Sequence, residues 1–424
     1  MHIQLKNLSL PKKTLLASAL SMAACQVNAA GFQLNAQSAT GLGRAFAGDA
    51  VIADNASVMS RNAAAMALFD KTALSLGANV IKTDISVSDG EYTVPALSSS
   101  DSSNYDQAGG TSVAPNIHLI VPLDDKFAVG ADLYTNFGTR TDFDSSFAGS
   151  EYGGVTDIKS FNLGLVASYR LTPQWSIGGG LDIVYGLGEL KREFSSDVSN
   201  LPFIGETTAL DAEVSGVGYG FNLGTVFELN SNNRFGLSYH YSPELEVKGD
   251  VTKFDDNIMT TTTAKNDSLY LNLPDIIEFS GYHRLEATPY AVHYSVQWIG
   301  WSSFDTLESD AYGTIETYDW QDAMHFSLGG TYYLNNKWTL RAGYMYDTSA
   351  QDEITSISVP DSDRQWFSTG FTYQFSEQSN IDFGFTYLIG QDVTVYEETG
   401  TLSSITGTTR ADAILVAMQY SHEF

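Results

Sequence analysis

The chain of 424 residues has one cysteine, Cys25, and it lies in a segment that reads as a leader. Cleavage after Ala29 removes it, so disulfides play no part in the mature fold even in an oxidising compartment. Basic residues are scarce as well: 22 Lys and Arg face 50 Asp and Glu, a formal net charge of −28 that argues against any nucleic-acid partner. Charged residues make up 17% of the chain, below the roughly 25% usual for soluble domains. No interior run approaches the ~18 apolar residues of a membrane-spanning helix. Gly-x-Ser-x-Gly, His-Glu-x-x-His and P-loop patterns are absent. Gly41-Leu42-Gly43-Arg44 lacks both the preceding strand and the third glycine of a nucleotide loop. His240 and His293 each precede a serine by two positions, which on a strand only puts both on one face. The sequence therefore leads us to expect no catalytic residue, metal site or cofactor.

The leader spans residues 1–29. Lys6, Lys12 and Lys13 form its basic region, Leu15 to Ala24 its apolar core, and Val27-Asn28-Ala29 its small-residue cleavage site, so the mature chain begins at Ala30. A weaker reading takes Met22-Ala23-Ala24-Cys25 as a lipoprotein box with Cys25 acylated. Removing the three leader lysines leaves 19 basic against 50 acidic residues, a net charge of −31. The acids gather in expected loops, for example Asp89, Glu91, Asp101 and Asp106, or Asp352, Glu353, Asp361 and Asp363. Solvation explains them most simply, and ion bridging to an anionic outer leaflet is the alternative.

What the chain does have is aromatic residues, with Tyr 23, Phe 23 and Trp 6, and a period of two. In the last stretch Ile414, Val416, Met418, Tyr420, His422 and Phe424 share one face, while Leu415, Ala417, Gln419, Ser421 and Glu423 occupy the other. Fourteen such stretches are expected, at 73–87, 113–121, 126–139, 156–171, 173–192, 213–229, 232–249, 267–283, 288–301, 322–334, 336–348, 364–375, 379–393 and 409–424. Connections alternate between tight turns, such as Leu123-Asp124-Asp125-Lys126 or Asn335-Asn336, and much longer segments. Short turns on one side and long loops on the other, an even strand count and apolar faces without covering helices predict an all-β membrane protein. The expected architecture is a 14-stranded antiparallel transmembrane β-barrel in the outer membrane of a Gram-negative bacterium, formed by residues 73–424. A soluble sandwich could alternate too, but the leader and the terminal aromatic residue favour the membrane. Residues 30–72 do not alternate; rich in Ala, Gly, Ser and Asn, with a helix expected near 61–69, they fit a hatch inside the lumen, where irregular backbone is shielded.

Several motifs carry a family resemblance. Ala30-Gly31-Phe32-Gln33-Leu34-Asn35, Gly41-Leu42-Gly43-Arg44-Ala45-Phe46, Ile52-Ala53-Asp54 and Ser60-Arg61-Asn62 closely resemble the hatch of the FadL-type outer-membrane transporters of long-chain fatty acids. Val113-Ala114-Pro115-Asn116, Leu271-Asn272-Leu273-Pro274, Ile357-Ser358-Val359-Pro360-Asp361-Ser362-Asp363-Arg364 and the terminal Phe424 extend the resemblance over the whole mature chain. It implies passive, ATP-independent uptake: loose capture on external loops, a tighter pocket in the barrel, movement of the hatch N-terminus and sideways exit into the bilayer.

By the same resemblance Phe32 reaches into the pocket, Leu190 lines it, Arg192 meets a ligand carboxylate and Gln321 stands where a second basic residue is common. With one cation instead of two, neutral hydrophobic compounds, aromatic or aliphatic, become the alternative cargo; a non-specific porin is a lesser one. Leu201, Phe203, Ile204, Phe254, Ile258 and Met259 form the candidate capture surface, unless they only pack the loops together. Phe137 and Gly138 match the kinked third strand, and Asn62 belongs to a hatch turn in which Ala63 replaces the family proline. Expected partners are the hydrophobic ligand, outer-membrane lipid and lipopolysaccharide, and the barrel-assembly machinery through Phe424, with the protein itself a monomer.

Overall fold

The computed structural model describes residues 31–202, 204–205, 207–255, 258–352 and 354–424. The expected leader, Ala30 and Phe203 lie outside the described residues. Fourteen antiparallel strands form the barrel wall: β1 Ala73–Val94, β2 Thr111–Pro122, β3 Phe127–Asp142, β4 Val155–Arg170, β5 Trp175–Glu193, β6 Thr208–Asn230, β7 Asn233–Tyr241 resumed as Glu244–Asp255, β8 Thr260–Asn272 resumed as Ile276–Arg284, β9 Tyr290–Ile299, β10 Ala323–Tyr333, β11 Trp338–Asp347, β12 Arg364–Gln374, β13 Ser379–Gly390 and β14 Ser403–Glu423. The interruptions in β7 and β8 fall at Pro243 and Pro274, which have no N–H to give to a ladder. Each strand pairs with the next, and β1 pairs with β14 from Ala73↔Glu423 to Thr93↔Ser404. Closure leaves no free sheet edge in lipid, where an unpaired backbone group costs several kcal/mol, on the order of 2–7.

Facing follows the sequence period. On β10 Phe326 and Leu328 are exposed while His325, Ser327 and Thr331 are buried. On β14 Ile414, Met418 and Tyr420 point outward, and Leu415, Ala417 and Gln419 inward. An outward apolar face that is 59% exposed at Leu328 and at Met418 requires lipid to cover it. The short turns are held by their own side chains: Asp124 Oδ1 accepts from the N–H groups of Lys126 and Phe127 at 2.8 and 2.9 Å, and Asn335 Oδ1 accepts from Lys337 and Trp338 at 2.9 and 3.0 Å.

Some strands run beyond their expected ends. β1 continues to Val94, β6 starts at Thr208 and β14 at Ser403. These extensions rise above the apolar band, so their faces carry polar residues and the period-two signal fades. Loop strands complete them: Ser99–Ser102 folds back on β1 and Val393–Thr399 pairs with β14.

Residues before β1 lie among the inward-facing side chains. A short helix α1, Ala39–Leu42, is capped by Ser38, and two 3-10 turns, Ala56–Ser60 and Ala63–Leu68, are capped by Asn55 and Asn62. The second turn falls in the stretch expected to be helical. Asn79 Nδ2 of β1 donates to Ala36 O, Ala39 N to Gln419 Oε1 of β14 and Gly48 N to Ser295 Oγ of β9, so the segment is held from opposite walls. Its charges are internal: Arg44 meets Asp49 at 2.6 Å and Asp54 at 2.8 Å, and Arg341 of β11 reaches Asp54 at 3.1 Å. Buried guanidinium and carboxylate groups are tolerable only when paired in this way.

Asn62 survives the loss of the neighbouring proline because its Oδ1 accepts from Ala64 N at 3.0 Å and its Nδ2 donates to Thr225 O at 3.1 Å. Gly224 permits that approach, since a Cβ there would stand 2.0 Å from Asn62 Oδ1. Gly224→Val is expected to destabilise the docked segment by about 1–3 kcal/mol. The check is faster hydrogen exchange at residues 55–66 in a barrel that still shows heat-modifiable gel mobility.

Candidate functional site: an apolar cleft closed by the N-terminal segment

The third strand sets up the site. β3 pairs with β2 only from Pro122↔Ala128 to Ile117↔Leu133. β4 accompanies it to Asp142↔Val155 with one irregularity between Thr135 and Phe137, leaving Asn136 as the bulged residue. Above Leu133 the free edge of β3 is taken by the N-terminal segment. Leu34 N donates to Asn136 O and Gly138 N to Phe32 O, both at 2.8 Å, around the bridged pair Gln33 and Phe137. Higher still, Asp142 N donates to Ala108 O at 2.9 Å. A gap in the β2–β3 ladder is thus bounded below by Ile117 and Leu133 and above by Ala108 and Asp142.

Phe32 is 1% exposed. Its ring lies 4.7 Å from Trp301, 5.1 Å from Phe304, 5.7 Å from Trp320 and 6.1 Å from Phe137, centroid to centroid, in mostly edge-on contacts. Gly31 stands at φ +54°, where a Cβ would meet Trp320 at 2.6 Å and Trp301 at 2.7 Å, so this turn requires glycine. The same apolar cluster continues into a cleft lined by Phe137, Ile158, Leu187, Leu190, Leu245, Val247, Leu269, Leu271, Leu273, Leu307 and Tyr318. A second, polar cavity is lined by Gln33, Asn136, Asn162, Asp182, Arg61 and Glu278 among others. Gln33 and Leu34 also line that second cavity, so the N-terminal segment separates apolar from polar lumen.

Arg192 shares a strand face with Leu190, two residues away at the rim of the cleft. Its Nη1 donates to Val155 O at 2.7 Å and Lys191 O at 2.9 Å, and its Nη2 to Thr156 Oγ1 at 2.7 Å. Among the described residues its Nε–H donates to nothing. Glu316 and Glu397 of the long loops act on it through their charge, and a second cation, Lys159, lines the cleft itself and pairs with Asp157 at 3.2 Å. Burial pushes the Glu397 carboxyl up to about 7, with Glu316 adding to the rise and both the Ile357 N–H and Arg192 opposing it. Glu316 is raised by the surrounding protein too, with Arg192 the largest opposing influence. The Tyr318 hydroxyl is raised by burial and by Glu316.

The remaining expected residues are dispersed. Gln321 is exposed; its backbone N–H bonds Ala350 O, and its side chain does not line the cleft. Leu201, Ile204 and Phe254 are buried in a loop cluster with Phe143, Phe147 and Phe194, and Met259 packs against it; among the described residues of this group only Ile258, 59% exposed, faces out. An apolar loop segment able to cover itself does so, which removes most of the expected capture surface from water. Trp301, Phe304 and Trp320, Leu269 and Tyr318, and the acids Glu316 and Glu397 were not singled out from the sequence. A signal existed for the aromatic group, since Trp301-Ser302-Ser303-Phe304 directly follows a strand where the alternation stops.

A closed barrel with an apolar outer face, an occupied lumen and an internal apolar cleft defines an outer-membrane transport barrel. The chain belongs to the outer membrane protein transport protein family (OMPP1/FadL/TodX), which it matches over residues 20–424. It is 36% identical to the long-chain fatty acid transport protein of Salmonella typhi over 414 residues, covering 91% of this chain and 93% of that one. It is 34% identical to outer membrane protein P1 of Haemophilus influenzae, covering 90% of each. Among solved structures, a Pseudomonas aeruginosa FadL homologue superposes with a TM-score of 0.83 at 22% identity, covering 93% of this chain and 100% of that one. The Pseudomonas putida toluene transporter TodX gives 0.65 at 20% identity, covering 93% and 100%. These structural likenesses bear on the fold alone. Family and fold place the protein in the outer membrane as a transport protein and not an enzyme.

Truncating Phe304 to alanine removes packing beside Phe32 and should cost the docked segment about 3–5 kcal/mol. The expected readout is loss of amide-exchange protection confined to residues 31–36.

Proposed function

We propose that this barrel takes up long-chain fatty acids by passive diffusion and releases them sideways into the bilayer. The observation that carries the reading is the placement of Phe32: one residue closes the floor of the apolar cleft and, through its carbonyl, occupies the edge of β3 left free by β2. A fatty-acid tail gains about 0.8 kcal/mol per buried methylene, so capture in the cleft is easy and escape into water is not. Exit through the gap between β2 and β3 moves the tail from one apolar medium to another and avoids that cost. Withdrawal of residues 31–34 would open the floor and free the β3 edge together, with Phe137 and Gly138 as the strand side of the gate and Asn62 anchoring the part of the hatch that stays. Leu190 contacts the tail, and the free N–H of Arg192 receives the carboxylate. Ile258 provides the outward apolar contact for first capture. The long-chain fatty acid transport proteins to which the chain is 36% identical support the choice of ligand.

Uptake of uncharged hydrocarbons is the second reading. It is favoured by Gln321, which is exposed and does not line the cleft. We further propose a monomer that is embedded in lipid and lipopolysaccharide and inserted by the assembly machinery through Phe424, a terminal ring 63% exposed whose N–H bonds Thr72 O at 2.9 Å.

Radiolabelled oleate should bind the detergent-folded barrel saturably. Arg192→Ala should weaken binding roughly 10- to 150-fold, the equivalent of about 1.5–3 kcal/mol for a charged hydrogen bond, and Leu271→Asp should abolish it. Displacement by toluene or a long alkane with no effect of Arg192→Ala would favour the hydrocarbon reading. Ion conductance without saturable binding would overturn both.

A further inference from the structure

Two arginines stand at the same height on opposite faces of the wall. Inside, Arg192 of β5 donates to Val155 O and Thr156 Oγ1 of β4. Outside, Arg140 of β3 is directly opposite Asp157, the next residue of β4, and pairs with it at 3.7 Å. The Arg140 side chain is 43% exposed, whereas its neighbours Thr139 and Thr141 are buried. Only β4 separates the two guanidiniums along the sheet. On the inner face the step from Arg192 towards the free edge of β3 passes hydroxyl groups, since Thr156 and Thr141 are directly opposed.

The outer face around Arg140 is where the apolar band ends. Outward residues change from exposed Val80 to Lys82 on β1, from Leu133 to Arg140 on β3, from Leu163 to Lys159 on β4 and from Ile183 to Glu189 on β5. Such a change marks the level of the lipid head groups. On β3 the lipid-facing position between the bulge and Arg140 is Gly138, which puts no side chain in the way. Continued past Ile117↔Leu133, with one residue allowed for the bulge at Asn136, the β2–β3 register brings Thr111 level with Arg140. Thr111 is the partner of Lys82 on β1. The two cations therefore flank the outer mouth of the gap.

The charges near them are accounted for on both sides. Beside Arg140 are Asp142 at 2.7 Å, Asp157, which Lys159 also pairs at 3.2 Å, and Glu189, which is paired with Lys191. Three cations thus meet three acids there. Lys82 makes no ion pair among the described residues; Asp84 on its face accepts from Gln107 Nε2 at 3.3 Å, and Asp412 of β14 is paired with Arg410. The Arg140–Asp142 pair is open to solvent, with Asp142 45% exposed, so it contributes little and exchanges readily.

Building on the sideways release read above, we propose that Arg140 and Lys82 form an exit site for the ligand's carboxylate on the lipid-facing side of the gap. A tail passes from cleft to bilayer without meeting water, but a carboxylate taken into hydrocarbon would lose its solvation with nothing in return. Arg192 and Arg140 remove that obstacle by their common height. The head moves from one guanidinium past the threonines and round the β3 edge to the other, staying at head-group level, while the tail slides through the gap beneath it. At Arg140 it displaces Asp142, and the weakness of that pair suits a station the ligand must leave again. A phosphate of the surrounding outer-leaflet lipid carries the same anionic chemistry. A resident phosphate, however, would be indifferent to the head group of the passing ligand.

The test compares radiolabelled oleate with uncharged hexadecanol, measuring barrel-dependent uptake by cells and equilibrium binding to the detergent-folded barrel, with heat-modifiable gel mobility as the folding check. Replacing both cations, Arg140→Gln with Lys82→Gln, should slow oleate uptake roughly tenfold, the low end for a lost charged hydrogen bond because Asp142 already competes. Oleate binding and hexadecanol uptake should keep their parent values, and Arg140→Lys should restore most of the oleate rate. Parent-rate oleate uptake in the double variant overturns the inference. So does a parallel fall for hexadecanol, which would assign the cations to a resident lipid phosphate, or a loss of equilibrium binding, which would assign them to capture. A parent that shows no saturable oleate binding overturns the fatty-acid reading itself, and the exit site with it.

Discussion

Backbone groups inside hydrocarbon have no water to bond, and this protein is arranged around that constraint. Fourteen strands satisfy one another around a closed circle, and the one stretch that β2 leaves unpaired on β3 is answered by residues 32–34 of the chain's own N-terminus. The segment that fills the lumen is therefore also a piece of the wall. Phe32 couples the two roles, because the residue whose carbonyl caps Gly138 also puts its ring among Trp301, Phe304 and Trp320 at the cleft. Ligand entry into the cleft and opening of the wall then depend on the same few residues.

Charge is handled by place. Acids outnumber bases by more than two to one, yet the inner face pairs its ions closely: Arg44 with Asp49 and Asp54, Arg341 with Asp54, and Arg364 with Asp361. Such pairs fix register more than they add stability, since desolvation offsets much of their attraction. Asp54 with Arg341 of β11 and Arg61 with Glu278 of β8 tie residues 39–66 to the wall, whereas residues 31–34 are attached by two backbone bonds, a Gln33–Gln297 side-chain bond and aromatic packing, so the part proposed to move is the part without ion pairs.

The wall was largely legible in the sequence because lipid on one side and lumen on the other impose a strict alternation, as along Ile414 to Phe424. What lay above the membrane was less so. β6 begins at Thr208 and β14 at Ser403 because polar extensions lose the alternation while keeping the ladder. At the cleft, Phe32, Leu190 and Arg192 came from resemblance: Leu190 lines it, Phe32 packs in the apolar cluster that continues into it and Arg192 stands two residues beyond Leu190, whereas Gln321 is turned to solvent by a loop whose path no periodicity reports. Leu201 and Phe254 were recognisable as apolar, but whether an apolar loop residue faces water or its neighbours is settled by tertiary packing. Glu316 and Glu397 escaped notice for the same reason: they are far apart in sequence, and their charges act on Arg192 only once the loop hairpins are folded.

The central claim is that the N-terminal segment must leave β3 for a ligand to pass. Gln33 and Phe137 face each other across the bridge, flanked by the bonds from Leu34 N and Gly138 N. Opposed residues at such a non-hydrogen-bonded position stand about 4.5 Å apart between Cα atoms, close enough for a disulfide. The most direct measurement is oleate uptake by cells carrying Gln33→Cys with Phe137→Cys, compared oxidised and reduced, in a chain whose one native cysteine is Cys25. The account predicts that uptake stops in the oxidised protein and returns on reduction; equal uptake in both forms would contradict it.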